Sequence, residues 1–375
     1  MLRIGIECES IEDLQTWGVG RILKSLLKKI AENRDDLREK YRFILYFKSH
    51  VPDFDFLKDP IFEKHLLTSW ILPRSFSFYY YLRLPWQLWR DKPDLIYLPN
   101  YMLPFFVTSR SLVVLTEDVY YEINRGSLPW RYKLAYRIFS GHAARAATRI
   151  LAISESSKKN VARLFKINPD RISVNHLGVD IVNHSHSEIR EGGKYVLYVG
   201  QAFPRRHLKE TILAFSQIAS EFPEINFIAV GRDKYNPPQI IDLIKEENVK
   251  LGGERIRHYD YISESQLLSL YKNAICLVYV SSEEAFGLPP LEALGYGTPP
   301  VVTDSELTRE LLGNNAIFVS CPDSPQEIAN ALRLAIKDGK RREEISKQGR
   351  LTIDRFTWQN HFLKFKKVVE DVINI

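Results

Sequence analysis

Two carboxylates, Glu284 and Glu292, stand eight positions apart in the segment SSEEAFGLPPLEA (residues 281–293). The Gly-Leu-Pro sequence between them predicts a loop, and the apolar residues that follow predict a helix with Glu292 on its first turn. A helix start presents free backbone N–H groups and the positive end of the helix dipole, which suit a phosphate or an anionic leaving group. A sugar nucleotide requires carboxylates that accept hydrogen bonds from its hydroxyl groups and amides that donate to its phosphates.

Two arginines form a second group of candidate residues. Arg205 and Arg206 follow the apolar run YVLYVG (residues 195–200), which predicts a buried strand. Guanidinium groups bind the oxygens of a diphosphate bidentately and stabilise its departure. Arginines that are merely exposed on a turn are the alternative, and the nearby pair of carboxylates favours diphosphate binding.

Two further motifs carry a weaker signal. Gly18 and Gly20 precede a helical pattern and allow a ligand to approach the backbone closely. The third glycine of the dinucleotide fingerprint does not follow, so a structural turn is an equal interpretation. Asp53 and Asp55 spell Asp-x-Asp, a pattern that is common by chance, and no His, Cys or carboxylate spacing supports a metal site. We therefore expect no bound metal.

Composition limits the class of protein. The 375 residues are 45% hydrophobic, which is enough to fill the cores of two domains. The three scattered cysteines predict free thiols. Neither a signal peptide nor a transmembrane run is recognised, so we expect a cytoplasmic protein, with peripheral contact at the inner membrane face as an alternative. Residues 1–178 carry 28 Lys and Arg against 19 Asp and Glu, which favours an anionic partner, while a solvated basic surface is an equal interpretation.

Short β-branched or aromatic runs alternate with helical patterns along the whole chain. This alternation predicts an α/β protein with two doubly wound, Rossmann-like domains, in which ligands bind at the carboxyl ends of parallel strands. We expect an N-terminal domain of residues 1–180, a linker of residues 181–193, a C-terminal domain of residues 194–357 and a final helix of residues 358–375. Twelve strands are predicted: residues 2–7, 42–47, 95–98, 112–115, 149–153, 171–176, 195–200, 226–231, 256–259, 275–280, 300–303 and 316–319.

The aromatic residues 76–81, together with Trp86 and Trp89, belong to one predicted helix of the N-terminal domain. We interpret them as core residues of that helix. Contact with a lipid is the alternative.

These pieces, in this order, resemble the retaining glycosyltransferases of family four, and in particular their mannosyltransferase-like group 1 branch. The resemblance covers nearly the whole chain and depends most on the Glu284–Glu292 segment. The other matching segments are GVGR (18–21), DLIYLPNY (94–101), ILAISESSK (150–158), HLGVD (176–180), PRRH (204–207) and YISESQL (261–267). The resemblance implies the GT-B fold, two Rossmann-like domains with a cleft between them, and the final helix packing back toward the N-terminal domain.

The resemblance also implies roles for individual residues. Glu292 is similar to the acid that holds the ribose hydroxyls, and Glu284 to the acid that faces the donor sugar. Arg205 and Arg206 resemble the pair that binds the diphosphate. The remaining binding positions are the backbone groups of Phe286, Gly287 and Leu288 for sugar and phosphate, Tyr261 and Ile262 for the base, and Gly18 and Gly20 for the diphosphate from the other domain.

Three positions depart from the family pattern. Ala285 replaces a glycine, and Arg206 replaces a lysine. Where the family has Thr-Ile-His-Asp near the reacting centre, this chain has Leu115-Thr116-Glu117-Asp118. Glu117 is able to bind a sugar hydroxyl, but a diphosphate would repel its charge. We count Glu117 and Asp118 with Glu284, Arg205 and Arg206 as catalytic candidates.

The function that this resemblance implies is retaining, metal-independent transfer of a hexose, with a mannose-like sugar favoured. The donor would be a GDP- or UDP-linked sugar, with no other cofactor, and the acceptor a saccharide or lipid-linked saccharide in surface polysaccharide synthesis. No nucleic acid partner is expected. A sugar phosphorylase or sugar-nucleotide epimerase on the same fold, and a non-catalytic sugar-nucleotide-binding protein, are the alternatives.

Overall fold

A computed structural model describes residues 1–12, 18–68, 75–117, 121, 130–181 and 193–374. The chain divides into two compact units. The first consists of Met1–Gly178 with Trp358–Ile375, and the second of Val179–Thr357. Most of the expected linker, residues 182–192, lies outside the described residues.

The first unit contains a seven-stranded sheet in the order β3-β2-β1-β4-β5-β6-β7, in which every neighbouring pair is parallel. The order reverses direction between β1 and β4, which makes the carboxyl ends of these two strands the switch point of the sheet. The strands are β1 (Leu2–Glu7), β2 (Tyr41–Phe47), β3 (Phe62–Leu66), β4 (Leu95–Leu98), β5 (Arg110–Val114), β6 (Arg149–Ala152) and β7 (Ile172–Val174).

Helices cover both faces of this sheet. They are α1 (Val19–Glu32), α2 (Arg34–Leu37), α3 (Phe76–Phe78), which continues through a π-helical turn (Tyr79–Arg83) into α4 (Leu84–Asp91), α5 (Trp130–Ala146), α6 (Glu155–Phe165) and the last helix of the chain, α14 (Trp358–Ile373). Each face of the sheet has its own hydrophobic cluster, because successive residues of a strand point to opposite sides of the sheet. Residues of α1 and α14 join one cluster, and residues of α4, α5 and α6 join the other.

The second unit repeats this plan with six parallel strands in the order β10-β9-β8-β11-β12-β13. Its switch point lies between β8 and β11. The strands are β8 (Lys194–Val199), β9 (Ile225–Val230), β10 (Ile256–Tyr259), β11 (Cys276–Tyr279), β12 (Pro300–Thr303) and β13 (Ile317–Val319). The helices are α7 (Leu208–Ile218), α8 (Ile240–Lys250), α9 (Glu264–Asn273), α10 (Leu288–Gly295), α11 (Glu306–Leu312), α12 (Pro325–Lys337) and α13 (Gly339–Ile353).

The predicted fold class is confirmed, since both sheets are parallel and carry helices on their faces. All twelve predicted strands are present, four of them with identical ends and the others with ends that differ by one or two residues. The strand that sequence reasoning missed is β3, whose sequence FEKHL places three polar residues together. It forms the edge of its sheet, where charged residues are tolerated because one side of the strand has no partner.

The final helix α14 buries one side against the first unit. Its residues Phe362, Phe365, Val368, Val369 and Val372, which the sequence pattern placed on one face, are all buried in the cluster that α1 also joins. The ring of Phe365 meets Tyr97 of β4 edge to face, with 5.0 Å between ring centroids.

The interpretation of the aromatic segment was right for two tyrosines and wrong for two tryptophans. Tyr79 and Tyr80 are buried in the core between the sheet and α4. Trp86 and Trp89 are 52% and 63% exposed. They occupy the outer side of α4, because Leu84 and Leu88 supply the buried stripe of this short helix.

The ends of two strands in the second unit approach each other so closely that only glycine fits. Gly231, at the end of β9, has φ +131°, and a Cβ placed there would lie 2.1 Å from the carbonyl oxygen of Gly200 at the end of β8. This contact is with backbone, so no side-chain rotation relieves it. The two glycines therefore set how the loops that follow β8 and β9 begin.

We predict that Gly231→Ala lowers the free energy of unfolding of the second unit by about 3 kcal/mol or more, because it combines a backbone clash with a left-handed φ. Gly253→Ala is the matched control, since nothing lies within 4 Å of a Cβ at that position. Denaturant unfolding of both variants checks this. Equal, small losses in the two variants would contradict the assignment.

Candidate active site

The centre of the candidate site in the second unit is an ion pair between Arg206 and Glu284. The Nε of Arg206 donates to Oε2 of Glu284 at 3.0 Å and its Nη2 donates to Oε1 at 3.2 Å, while Nη2 and Oε2 are 2.9 Å apart. Both side chains are only 16% exposed. Arg206 lies in the turn after β8 and Glu284 in the loop after β11, so this fork-to-fork pair occupies the switch point of the sheet.

A tyrosine completes this pair. The hydroxyl of Tyr279, the last residue of β11, donates to Glu284 Oε2 at 2.7 Å, and its ring lies 5.4 Å from the Arg206 guanidinium. Gly200 makes this arrangement possible, since a Cβ there would come within 3.3 Å of Arg206 and 3.4 Å of Tyr279. We name Arg206, Glu284 and Tyr279 the central triad.

The electrostatics of the triad keep its carboxyl group ionised. Burial alone would raise the pKa of Glu284, but the charge of Arg206 and the hydrogen bonds from Arg206 and Tyr279 hold that pKa below its usual value. Burial likewise opposes the charge on Arg206, and Glu284 outweighs it, so the pKa of the guanidinium is raised. Glu284 is therefore an oriented anion across the neutral pH range.

The neighbouring residues fasten the arginine turn to the glutamate loop through the backbone. The carbonyl oxygen of Arg205 accepts from the Ser282 N–H at 2.9 Å and from the Ser281 hydroxyl at 3.1 Å. Nε2 of His207 and the Ser282 hydroxyl share a hydrogen bond of 2.5 Å. The guanidinium of Arg205 is buried and lies 4.5 Å from the ring of Phe203. These contacts hold the arginine turn after β8 against the glutamate loop after β11.

Helix α10 begins directly beside the triad. Gly287 is its N-cap with φ +88°, and the helix starts at Leu288. The Gly-Leu-Pro segment, predicted as loop, is therefore in part the first helical turn, because proline is favoured there. As a result Glu292 lies on the second turn and not on the first. Since Pro289 and Pro290 carry no N–H, Gly287 and Leu288 supply the amide donors of this helix start.

Glu292 is buried at 5% exposure and accepts a hydrogen bond of 2.9 Å from the hydroxyl of Tyr271 on α9. The predicted base-binding residues lie after β10, before the capping box of α9. Tyr261 is 54% exposed, and Ile262 packs on the hydrophobic cluster that includes Tyr271. Phe286 is buried, and its ring meets Phe356 edge to face.

The remaining predicted residues belong to the first unit. Gly18 is the N-cap of α1 with φ +54°, and Gly20 is buried in the first turn of that helix. Glu117 follows β5 and is 5% exposed. Its carboxylate accepts from the hydroxyl of Ser157 and from the side-chain amide of Asn160, both on α6. Asp118 lies outside the described residues.

A buried carboxyl group that sequence reasoning missed occupies the switch point of the first unit. Glu7, the last residue of β1, is fully buried and accepts from the Glu9 N–H at 2.9 Å and from the Tyr79 hydroxyl at 3.1 Å. The side-chain amide of Asn100, after β4, lies 3.5 Å away. Burial raises the pKa of Glu7 to about 8. Tyr79 opens the π-helical turn, a feature that is frequent at functional sites.

The Asp-x-Asp motif makes surface ion pairs. Asp53 and Asp55 are both highly exposed and lie 3.0 and 2.9 Å from the Nζ of Lys58. Within the described ranges no group of three or more His, Cys, Asp or Glu residues is arranged to hold a metal ion. In the same ranges no helix is long and apolar enough to span a membrane.

The amino-acid sequence matches two models of known protein families. Residues 36–183 match the model "Glycosyltransferase Family 4", and residues 181–352 match the model "Glycosyl transferases group 1". The chain is 26% identical over 372 residues to the O-antigen chain mannosyltransferase B of Escherichia coli, covering 92% of this chain and 93% of that protein. It is 26% identical over 204 residues to the mannosyltransferase RfbU of Salmonella typhimurium, 54% of each chain.

Solved structures agree with this assignment at the level of the fold. Sucrose-phosphate synthase from Thermosynechococcus elongatus superposes with a TM-score of 0.76 over the whole of both chains at 16% identity. HepE from Anabaena, solved with UDP and glucose, superposes with a TM-score of 0.70, covering 99% of this chain and 100% of that one at 18% identity. The chain belongs to the group 1 glycosyltransferases of family four and has their two-domain GT-B fold.

The first prediction from the site concerns the ion pair. Removing either charge leaves the other buried, so Arg206→Gln and Glu284→Gln should each lower the free energy of unfolding by about 3 kcal/mol. The double variant should lose clearly less than the sum. Arg333→Gln and Glu221→Gln form the control, a more exposed pair in the same unit, which should show no comparable coupling. Additive losses at Arg206 and Glu284 would contradict a coupled pair.

The second prediction concerns Glu7. Folded Glu7 keeps its proton up to about pH 8, whereas the unfolded residue releases it near pH 4.5, so the free energy of unfolding of the wild type falls as pH rises through this window. Glu7→Gln cannot ionise and should gain stability relative to wild type as pH rises from about 5 to about 9. Calorimetric melting temperatures measure this, with exposed Glu39→Gln as the control. A constant difference between Glu7→Gln and wild type across that range would show that Glu7 is not protonated in the fold.

Proposed function

We propose that this glycosyltransferase moves a hexose, with a mannose-like sugar favoured, from a GDP- or UDP-linked donor to a hydroxyl of a saccharide or lipid-linked saccharide acceptor in surface polysaccharide synthesis. The observation that carries the proposal is the central triad beside the start of α10 at the switch point of the second unit. Mannosyltransferases of O-antigen synthesis among the relatives support the choice of sugar and pathway. HepE, solved with UDP and glucose, supports a nucleotide-linked donor.

The donor nucleotide is proposed to bind the second unit. Glu292 accepts the ribose hydroxyls, a role that suits a buried carboxylate already oriented by Tyr271. The diphosphate lies between the amides of Gly287 and Leu288 and the arginine turn. Tyr261 and Ile262 border the base.

The leaving diphosphate is proposed to be stabilised by side chains and amides. Arg205 and the helix start provide positive potential where charge develops as the glycosidic bond breaks. Arg206 uses its Nε and Nη2 on Glu284, and its Nη1 lies 3.3 Å from the carbonyl oxygen of Gln201. It acts on the diphosphate through its charge and orients Glu284. We propose that these positively charged groups and the helix start stabilise the leaving diphosphate without a metal ion.

Retention of the anomeric configuration is proposed to occur without a covalent enzyme intermediate. Glu284 is held by two partners and is better suited to stabilise positive charge on the anomeric carbon than to attack it. The acceptor hydroxyl then attacks on the face from which the diphosphate departs, and the leaving phosphate takes its proton. Exclusion of water limits hydrolysis of the donor.

The acceptor is proposed to bind the first unit at the carboxyl ends of β1 and β4, where the partly exposed side-chain amide of Asn100 offers a donor and an acceptor to a saccharide hydroxyl. Glu7 and Tyr79 are buried there, and Glu7 lies 3.5 Å from that amide. Glu117 is engaged with α6. We propose that Glu117 helps to position α6 beside the acceptor site.

We predict that Glu292→Gln weakens binding of GDP or UDP at least tenfold, because a charged hydrogen-bond acceptor to the ribose is lost. Glutamine still accepts from Tyr271, so the fold is preserved. Isothermal titration calorimetry measures the affinity, with exposed Glu264→Gln in the same unit as the control. Unchanged affinity in Glu292→Gln would remove the ribose assignment.

Product analysis with labelled GDP- and UDP-sugars tests the reaction itself. Transfer of the label to an acceptor with retained configuration, in the presence of a chelator, is the expected result. Label released only to phosphate would identify a phosphorylase, and isomerised donor an epimerase. Nucleotide binding without any turnover would identify a non-catalytic binding protein.

A further inference from the structure

The ring of Tyr279 lies in a slot between two glycines of the second unit. A Cβ placed on Gly200, after β8, would lie 3.4 Å from Cε2 of Tyr279, and one placed on Gly287, the N-cap of α10, would lie 3.7 Å from Cε1. The side chain also belongs to a hydrophobic cluster and is 5% exposed. Core packing and a glycine at each edge of the ring therefore fix the position of the hydroxyl before a substrate binds.

The hydroxyl of Tyr279 is a hydrogen-bond donor at neutral pH. Burial raises its pKa well above the usual value, Arg206 acts in the opposite direction, and the carboxylate of Glu284 raises the pKa further. A phenol that keeps its proton donates it, here to Oε2 of Glu284 at 2.7 Å. This hydrogen bond therefore does not depend on the ionisation of Tyr279 near neutral pH.

The two oxygens of the Glu284 carboxylate are unequally occupied. A carboxylate has about four positions that accept a hydrogen bond, two on each oxygen. On Oε2 both are filled, by Nε of Arg206 at 3.0 Å and by the hydroxyl of Tyr279. Among the residues that the structure describes, the one donor to Oε1 is Nη2 of Arg206, at 3.2 Å. One accepting position therefore stays open, and it belongs to Oε1.

The carboxylate with this open position lies against the start of α10. A Cβ on Gly287 would lie 3.8 Å from Cγ of Glu284, and the glutamate side chain is 16% exposed. The amide of Gly287 is one of the groups proposed above to contact the diphosphate. A sugar attached to a diphosphate at this helix start would therefore meet the carboxylate of Glu284.

We propose that Tyr279 is a specificity-determining residue, because its hydroxyl fills Oε2 and leaves Glu284 one accepting position, on Oε1, for one hydroxyl of the donor sugar. A sugar whose hydroxyl reaches Oε1 satisfies that buried oxygen, whereas an epimer with the hydroxyl on the other side of the ring leaves it unpaired. Without the Tyr279 hydroxyl a second position opens on Oε2, and Glu284 accepts from hydroxyls placed differently. The inference rests on the proposed function, since it requires the donor sugar at Glu284.

The isosteric variant Tyr279→Phe tests the proposal through binding, so that no turnover is required. Isothermal titration calorimetry measures the affinities of GDP, UDP, their hexose conjugates and the epimers of those hexoses. The affinity ratio between the preferred sugar nucleotide and its epimers should fall about fivefold or more in Tyr279→Phe, because one hydrogen bond to a charged group no longer selects the hydroxyl. The affinity for GDP or UDP alone should change by less than about twofold, since the nucleotide does not meet Tyr279.

The pH dependence of binding gives a second readout. The hydrogen bond from Tyr279 helps to hold the pKa of Glu284 below its usual value, and removing it raises that pKa. As pH falls, the sugar-dependent part of the affinity should therefore be lost at a higher pH in Tyr279→Phe than in the wild type. Tyr195→Phe is the matched control, because Tyr195 lies in the same hydrophobic cluster and donates to the carbonyl oxygen of Leu270 at 3.0 Å. It should keep the wild-type ratio and pH dependence.

Three results would overturn the proposal. Wild-type selectivity and pH dependence in Tyr279→Phe would show that the hydroxyl selects nothing. Equal changes in Tyr195→Phe would indicate a general loosening of the core. A wild type that binds every sugar nucleotide no better than the free nucleotide would show that the sugar does not meet Glu284. Selective binding without turnover on any acceptor would instead contradict the proposed transferase reaction and leave the role of Tyr279 supported.

Discussion

The buried ion pair between Arg206 and Glu284 is the interaction on which the candidate site depends. It joins the turn after β8 to the loop after β11, and these two loops are brought together because their strands are neighbours at the switch point of a parallel sheet. Two buried charges stabilise each other only in good geometry, and Tyr279 and the glycine at position 200 provide it. The position of α10, and with it Glu292, follows from the same loop.

Both units use the same plan, with an ionisable group at the carboxyl edge of the sheet, yet their electrostatics differ. In the second unit Arg206 keeps Glu284 ionised, which suits a centre where positive charge develops on a sugar. In the first unit burial dominates at Glu7, and its pKa rises to about 8. The same residue type is therefore prepared as an anion in one unit and as a neutral hydrogen-bonding group in the other.

Much of the fold could be predicted from the sequence, because parallel strands that are buried on both faces read as continuous apolar runs. The charged edge strand β3 lacks that signal. At the site, the sequence indicated Arg206 and Glu284 separately, but their pairing depends on strand order, which no local pattern reveals. Tyr279 lies within the predicted strand of residues 275–280, and no sequence signal singled it out. Glu7 carried a usable signal, since it is a carboxylate at the carboxyl end of an otherwise apolar predicted strand.

We propose that the second unit holds a nucleotide-linked sugar at the start of α10. A crystal structure with bound GDP or UDP tests it most directly. We expect ribose hydroxyls on the Glu292 carboxylate and diphosphate oxygens near Gly287, Leu288 and Arg205, with Arg206 still paired to Glu284. A nucleotide bound elsewhere, or a ribose that makes no contact with Glu292, would contradict this assignment of the donor site.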